Sequence, residues 1–228
     1  MWKRTFDLLL SGIGLIVSIP LWAVIALAVK LDDGGPVFYS QTRVGKDCRE
    51  FISWKFRSMA ADSGRKVGPL PASWNDPRIT RVGRLLRARA MDELPQLWNI
   101  FRGEMSFVGP RPEWTELVER FRREVPSFDL RHSVLPGLTG LAQIYGHSEL
   151  SRRKKLRYDL LYIRRRNVWL DFRLVLVSFL VTFAAGWEMR SPKLPGLTRR
   201  LRPRNTAPKT QPAPARLIIS SSPGNPAG

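Results

Sequence analysis

The chain has 228 residues, 43% of them hydrophobic, which is room for one sizeable domain with additions and for a real core. Its 38 Lys and Arg against 19 Asp and Glu give a formal net charge of +19, which points to anionic partners: nucleic acid, acidic lipid or phosphorylated substrates. The single cysteine, Cys48, excludes an intrachain disulfide and fits a reducing compartment. Together with His132 and His147 it makes no zinc spacing, whereas a magnesium site built from carboxylate and substrate phosphate stays open.

Residues Leu8 to Val29 carry no charge, and about 20 apolar residues suffice to cross a bilayer. A small-residue cleavage motif is missing after this segment, so it is expected to be retained as a membrane segment. Lys3 and Arg4 precede it and Lys30 with an arginine-rich remainder follows. Both flanks therefore ask for the cytoplasmic side. Pro20 sits in mid-segment, where it removes a helical hydrogen bond, and Ser18 can cap a freed backbone group. A helix–break–helix hairpin that enters and leaves on one face is preferred to a straight span.

Asp32 to Pro36 reads as a turn, followed by β-prone runs at Val37 to Gln41 and Phe51 to Phe56 that predict a hairpin. Met59 to Pro77 is loop-like, of a length that serves as a lid or stays disordered. From Ile79 the apolar spacing becomes helical through Leu85 and Leu86, and again from Leu94 to Phe101. Between these runs lie Asp92 and Glu93. Leu94 precedes Pro95, which pushes the backbone out of the helical region, and proline favours the first position of a new helix, whose N-terminus is partly positive. The two carboxylates are thus expected at a junction. Arg81, Arg84, Arg87 and Arg89 lie upstream and Arg102 and Arg111 downstream, enough guanidinium to hold a pyrophosphate. Phosphoryl transfer is one reading; acidic residues favouring a helix start is the other.

Trp114 to Val125 predicts an amphipathic helix between Pro112 and Pro126. Leu135 to Gln143 is a glycine-punctuated connection. Ser151 to Arg166 predicts a basic helix suited to an anionic membrane surface. Val168 to Met189 holds an uncharged run of about 14 residues, too short for a second span, which predicts an interfacial or buried helix. Residues 191–228 form a basic Pro- and Ser-rich tail expected to be disordered. The domain division is a membrane segment at 1–31, a main domain with interfacial helices at 32–190 and the tail at 191–228. The fold class is α/β, mostly α with a small β-hairpin.

Several motifs occur in an order that resembles the bacterial sugar transferases, monotopic phosphoglycosyl transferases. They are KRTFDLLLS, GGPVFYSQTRVGKDCREF, KFRSM at Lys55 to Met59, and DPRITRVGRLLR at Asp76 to Arg87. MDELPQLWNIFRGEMSFVGPRP at Met91 to Pro112, PGLTGLAQ at Pro136 to Gln143, and YDLLYI then WLDFRLVL complete the set. The resemblance implies transfer of a sugar-1-phosphate from a UDP-sugar to polyprenyl phosphate on the cytoplasmic face of the bacterial inner membrane. It implies Asp92 as the nucleophile that becomes phosphosugar-aspartate, and Glu93, with Asp92, as holder of Mg²⁺. By the same matching Lys55, Arg57, Arg87 and Arg111 are candidate phosphate contacts, and Asp159 is a further site residue.

The expected partners are UDP-sugar, polyprenyl phosphate and membrane lipid, with no nucleic acid and with a homodimer left open. Four departures stand out. Ala90 lies in the segment where similar sequences carry a small hydroxyl residue, Leu135 stands where an arginine often precedes P-G-x-T-G, Cys48 replaces a turn glycine, and one residue separates Ser18 from Pro20. The glycine replacement predicts a different β-turn. Two rival readings are a non-enzymatic basic membrane adaptor and a membrane-recruited nucleic-acid-binding protein.

Overall fold

The computed structural model describes residues 2–60, 76–145 and 151–184. Residues 61–75 of the loop expected at Met59 to Pro77, His147, the end of the last apolar run and the tail lie outside the described residues. The first element is a single helix, α1 (Trp2–Asp33), of 32 residues. It is long and apolar enough to cross a membrane. Pro20 lies inside it, so the helical assignment continues through the expected break. Ser18 Oγ donates to the Leu15 carbonyl at 3.2 Å, not to the Ile16 carbonyl that proline's missing N–H leaves over.

A heptad-like spacing explains how α1 lies. Asp7, Ser11, Ser18, Ile25 and Val29 are buried, four or seven residues apart, so they share one face. Leu9, Ile13, Ile16, Val17, Val24, Leu27 and Leu31 are exposed. The N-terminal end is tied by Lys3 Nζ to Asp171 at 2.6 Å, by Arg4 to the Ile100 and Phe101 carbonyls, and by the Phe107 N–H to Asp7 at 3.1 Å. At the other end Asp33 pairs with Arg57, and Asp32 accepts from the Val82 N–H at 3.0 Å. Both ends therefore rest on the same body.

Strands β1 (Phe38–Val44) and β2 (Glu50–Phe56) form the expected antiparallel hairpin, with Tyr39 opposite Lys55, Gln41 opposite Ser53 and Arg43 opposite Phe51. Gly45 N–H donates to the Arg49 carbonyl, so the loop is the three residues Lys46 to Cys48, in which Asp47 and Cys48 both take positive φ, 54° and 59°. The cysteine adopts the glycine conformation.

Helix α2 (Arg81–Ala88) starts at Thr80, whose Oγ1 accepts from the Gly83 N–H, and Asp32 supplies a second acceptor. A one-turn 3₁₀ segment (Met91–Glu93) follows, then α3 (Gln96–Arg102), immediately after Pro95. Strand β3 (Ser106–Val108) pairs in parallel with β4 (Gly137–Thr139). The glycine-punctuated connection thus contains a short strand that local patterning does not reveal. Its glycines are there for contact: a Cβ at Gly137 would lie 2.0 Å from the Gly109 nitrogen.

Helix α4 (Thr115–Glu124), a 3₁₀ segment (Pro126–Ser133), α5 (Leu141–Tyr145), α6 (Arg152–Arg165) and α7 (Val168–Ala184) complete the described chain. The fold is mostly helical with two small sheets. Its largest core gathers Ile100, Met105, Val108, Leu141, Tyr162 and Leu174. Helix α7 buries Asp171 and Leu174 but exposes Trp169, Phe172, Leu176, Phe179 and Leu180, an apolar outer face that suits an interfacial helix.

Candidate active site

Asp92 and Glu93 occupy the 3₁₀ turn between α2 and α3, the junction expected from Pro95. The reversal that leads into it passes through Ala90 at φ 52°, a left-handed conformation that costs a residue with a Cβ on the order of 1 kcal/mol. The two carboxylates are treated differently. Glu93 Oε1 receives Lys55 Nζ at 2.6 Å and Arg111 Nη2 at 2.5 Å. Asp92 is buried, 7% exposed, and no hydrogen bond or ion pair to its carboxylate is formed among the described residues.

These settings separate their acidities. Burial raises the Asp92 carboxyl above its ordinary value of 3.8, Glu93 adds to the rise, and the charges of Lys55, Arg87 and Arg111 oppose it without reversing it. Burial also pushes Glu93 up, but Arg111 and Lys55 more than reverse this and hold it well below 4.5. Lys55 is pushed down by burial despite Glu93, and Arg111 is raised, chiefly by Glu93. Two adjacent carboxylates with opposite shifts are suited to different roles: one fixed anion that organises cations, and one unpaired oxygen free to react.

Each expected site residue has a definite place. Lys55 reaches the pair from β2, Arg111 from the segment after β3, and Arg87 from the end of α2. Arg87 Nε donates to Ser58 Oγ at 2.8 Å, and α2 can approach so closely because Gly83 lies against the Ser58 backbone, where a Cβ would meet the carbonyl oxygen at 2.0 Å. Arg57 is used differently from expectation. It is 6% exposed, with its guanidinium on Asp33 and the Pro36 carbonyl, and so anchors the end of α1. Asp159 is likewise inside, 3% exposed, paired with Arg131 at 2.9 Å. Arg131 Nη2 in turn donates to the Arg111 carbonyl at 2.8 Å. Asp159 thus supports the backbone of Arg111 from behind, and burial raises its carboxyl against the pull of Arg131. Arg102 lies in an exposed pair with Glu104.

Arg43 is a site residue that motif reading passed over. The hairpin register puts Tyr39, Gln41, Arg43, Ser53 and Lys55 on one face. Arg43 donates to the Pro112 carbonyl and to Gln41 Oε1, and lies 5.9 Å from the Trp114 ring centre. Its Nε is buried without a partner among the described residues. Burial, helped by Arg111, lowers it to about 10, while Glu113 and Glu93 oppose the shift. Alternation along β1 taken together with the pairing to β2 was the available signal.

A model of the family described as bacterial sugar transferase matches residues 1–185 of the chain. The UDP-glucose:undecaprenyl-phosphate glucose-1-phosphate transferase of Klebsiella pneumoniae is 42% identical over 184 residues, which cover 78% of this chain and 39% of that protein. The UDP-N-acetylgalactosamine-undecaprenyl-phosphate N-acetylgalactosaminephosphotransferase of Aeromonas hydrophila is 39% identical over 191 residues, 82% of this chain and 45% of that protein. The exopolysaccharide production protein PSS of Rhizobium leguminosarum bv. phaseoli is 39% identical over 181 residues, 76% of this chain and 90% of that protein. The chain therefore spans about two-fifths of the length of the first two relatives.

Proposed function

The chain belongs to the bacterial sugar transferase family, and from that footing we propose that it moves a sugar-1-phosphate from a UDP-sugar to undecaprenyl or a similar polyprenyl phosphate. An Asp92 oxygen attacks the β-phosphorus, the bond to the UMP oxygen breaks, and UMP leaves. An oxygen of the polyprenyl phosphate then attacks the same phosphorus, the aspartyl–phosphorus bond breaks, and Asp92 is regenerated beside a polyprenyl diphosphate sugar. Splitting one displacement into two in this way is what a carboxylate nucleophile offers.

The observation that carries this reading is the unpaired, buried carboxylate of Asp92 next to a Glu93 that is clamped by Lys55 and Arg111. Those cations, with Arg87 and Arg43, balance the charge that accumulates as a diphosphate approaches. Two adjacent carboxylates also fit Mg²⁺, a hard cation that takes one or two carboxylates together with substrate phosphates. Among the described residues Asp92 is unpaired, and Glu93 Oε2 has only a loose contact to Arg111 at 3.5 Å. Bound there, Mg²⁺ would neutralise charge on the phosphate oxygens. Relatives named for glucose and for N-acetylgalactosamine match at 42% and 39% identity, so the proposal is made for UDP-sugars as a class.

We place the site at the cytoplasmic face of the inner membrane. Both ends of α1 rest on one body, its flanks are basic, and its outer face is apolar, which supports a helix that lies along the domain with that face embedded in one side of the membrane. The test is release of UMP when purified chain meets a panel of UDP-sugars with Mg²⁺ and polyprenyl phosphate. Product from at least one sugar is expected, with radiolabel from the β-phosphate trapped on the protein before acceptor is added. Folded protein that releases no UMP with any sugar overturns the reading.

A further inference from the structure

The hairpin turn and the Pro126–Ser133 segment bring together three side chains that the proposed transfer does not use. Cys48 Sγ lies 3.6 Å from His132 Nδ1, and His132 Nδ1 lies 3.3 Å from Asp129 Oδ1. One donor atom from each residue falls within 4.8 Å of the other two. A cavity of about 460 Å³ opens beside them, lined by the three residues together with Pro126, Ser127 and Leu130 among others, and by none of the residues around Asp92. His132 is 6% exposed and lines this cavity. Its Nε2 has no partner among the described residues, so the ring's polar contacts gather on the Nδ1 side, where Cys48 and Asp129 meet.

We propose that Cys48, Asp129 and His132 form a second cation site, selective for a borderline transition ion of the Zn²⁺ type.

The spacing supports this choice. With Zn–S of about 2.3 Å, Zn–N of about 2.05 Å and Zn–O of about 2.0 Å at tetrahedral angles, the S···N and N···O edges come to about 3.6 and 3.3 Å. The observed separations are 3.6 and 3.3 Å, and the Cys48–Asp129 edge, within 4.8 Å, can adjust through rotation of an exposed thiol. The cavity leaves the fourth position to water. A thiolate and an imidazole favour Zn²⁺, Co²⁺ or Cu over Mg²⁺. Binding converts the Cys48 thiol to a thiolate and releases its proton to solvent.

Arg122 Nε contacts both oxygens of Asp129 at 2.8 Å. A carboxylate has about four lone-pair positions, so Asp129 can hold Arg122 and a metal together, with Arg122 orienting the ligand at some cost in affinity. The unfavourable φ at Cys48, where glycine would relax the turn, is consistent with a cysteine kept for its sulfur.

The experiment titrates tag-free, full-length protein in detergent with Co²⁺ and follows the thiolate-to-cobalt charge-transfer absorption. Cys48 is the only cysteine in the chain, so this band reports on this site and not on Asp92 and Glu93. One equivalent with tetrahedral visible bands is expected, displaced by one equivalent of Zn²⁺ and unaffected by excess Mg²⁺. Cys48→Gly, which relieves the positive φ and so keeps the fold, should abolish the band and the rise in melting temperature that Zn²⁺ gives. Asp129→Asn should retain the band and weaken binding by roughly tenfold or more. Absence of the band in the parent protein at excess Co²⁺, or Zn²⁺ binding in Cys48→Gly as tight as in the parent, overturns the proposal.

Discussion

Asp92 and Glu93 are neighbours in sequence with opposite environments, so their neutral analogues should move stability in opposite directions. The folded state raises the Asp92 pKa above 3.8. Its favourable contribution is the protonated form, present below the unfolded value and lost as pH rises through the folded one, so at pH 7 the ionised side chain costs stability. Asp92→Asn should therefore melt higher than the parent at pH 7, an advantage that disappears below about pH 4, while on the proposed mechanism turnover falls by at least about three orders of magnitude, since that mechanism needs a carboxylate oxygen at this position.

Glu93 behaves in the reverse sense. Its folded pKa lies well below 4.5, so its stabilisation is present above the unfolded value and is lost as pH falls through the folded one. Glu93→Gln should melt lower at pH 7, since it leaves the partly buried Lys55 and Arg111 without their counter-charge. Melting curves of both variants at pH 7 and pH 4 check the pair of signs, and a common sign would contradict the two roles. The location of this acid pair was legible from Pro95 and the surrounding arginines. Which of the two carboxylates is clamped was not, because that depends on Lys55 and Arg111 arriving from β2 and from beyond β3.

Among the elements, the parallel β3–β4 pair matters more than its three-residue length suggests. It holds the segment that carries Arg111, with Gly109 N–H donating to the Thr139 carbonyl and Gly137 N–H to the Pro110 carbonyl, both at 2.9 Å. A methyl group at Gly137 would stand 2.0 Å from a backbone nitrogen, which neither rotamer change nor small relaxation accommodates. Gly137→Ala is expected to destabilise the protein by about 3 kcal/mol or more. It should also weaken nucleotide-sugar binding through Arg111, measurable as a lower melting temperature with a higher KM in whatever protein remains folded. Strand β4 was invisible to patterning because a buried strand of three residues with glycine and threonine offers no period to count, whereas the β1–β2 hairpin showed itself through β-prone runs on either side of a turn. Arg43 became part of the site only once the register of that hairpin was known, since its side of the strand follows from pairing rather than from any local motif.

Across the molecule, α1 is bound at both ends by charge and along its middle by apolar contact. Asp171 is 1% exposed and holds Lys3 from α1 and Tyr162 Oη from α6 at 2.8 Å. Replacing Asp171 by Ala removes the acceptor for a partly buried ammonium and is expected to cost about 3 kcal/mol. The N-terminal end of α1 should then become accessible to limited proteolysis in detergent before the rest of the domain unfolds. A digestion pattern identical to that of the parent would show that this end is held by other means. Because Arg57 and Asp33 hold the opposite end, the long apolar helix and the turn that carries Asp92 share one frame, with Lys55 only two residues from Arg57.

The sequence alone determined the features set by near neighbours: an apolar segment long enough for a membrane, the hairpin, the helices with regular apolar spacing and the junction at Asp92 and Glu93. Periodicity, turn chemistry and proline act over a few residues, so they can be read in a line. Only the tertiary structure decided that both ends of α1 rest on one body, that Arg57 and Asp159 serve as supports, that Glu93 is clamped while Asp92 has no partner among the described residues, and that Cys48 meets Asp129 and His132. Each of these depends on distances and desolvation between residues far apart along the chain, and those quantities exist only once the core has brought the elements together.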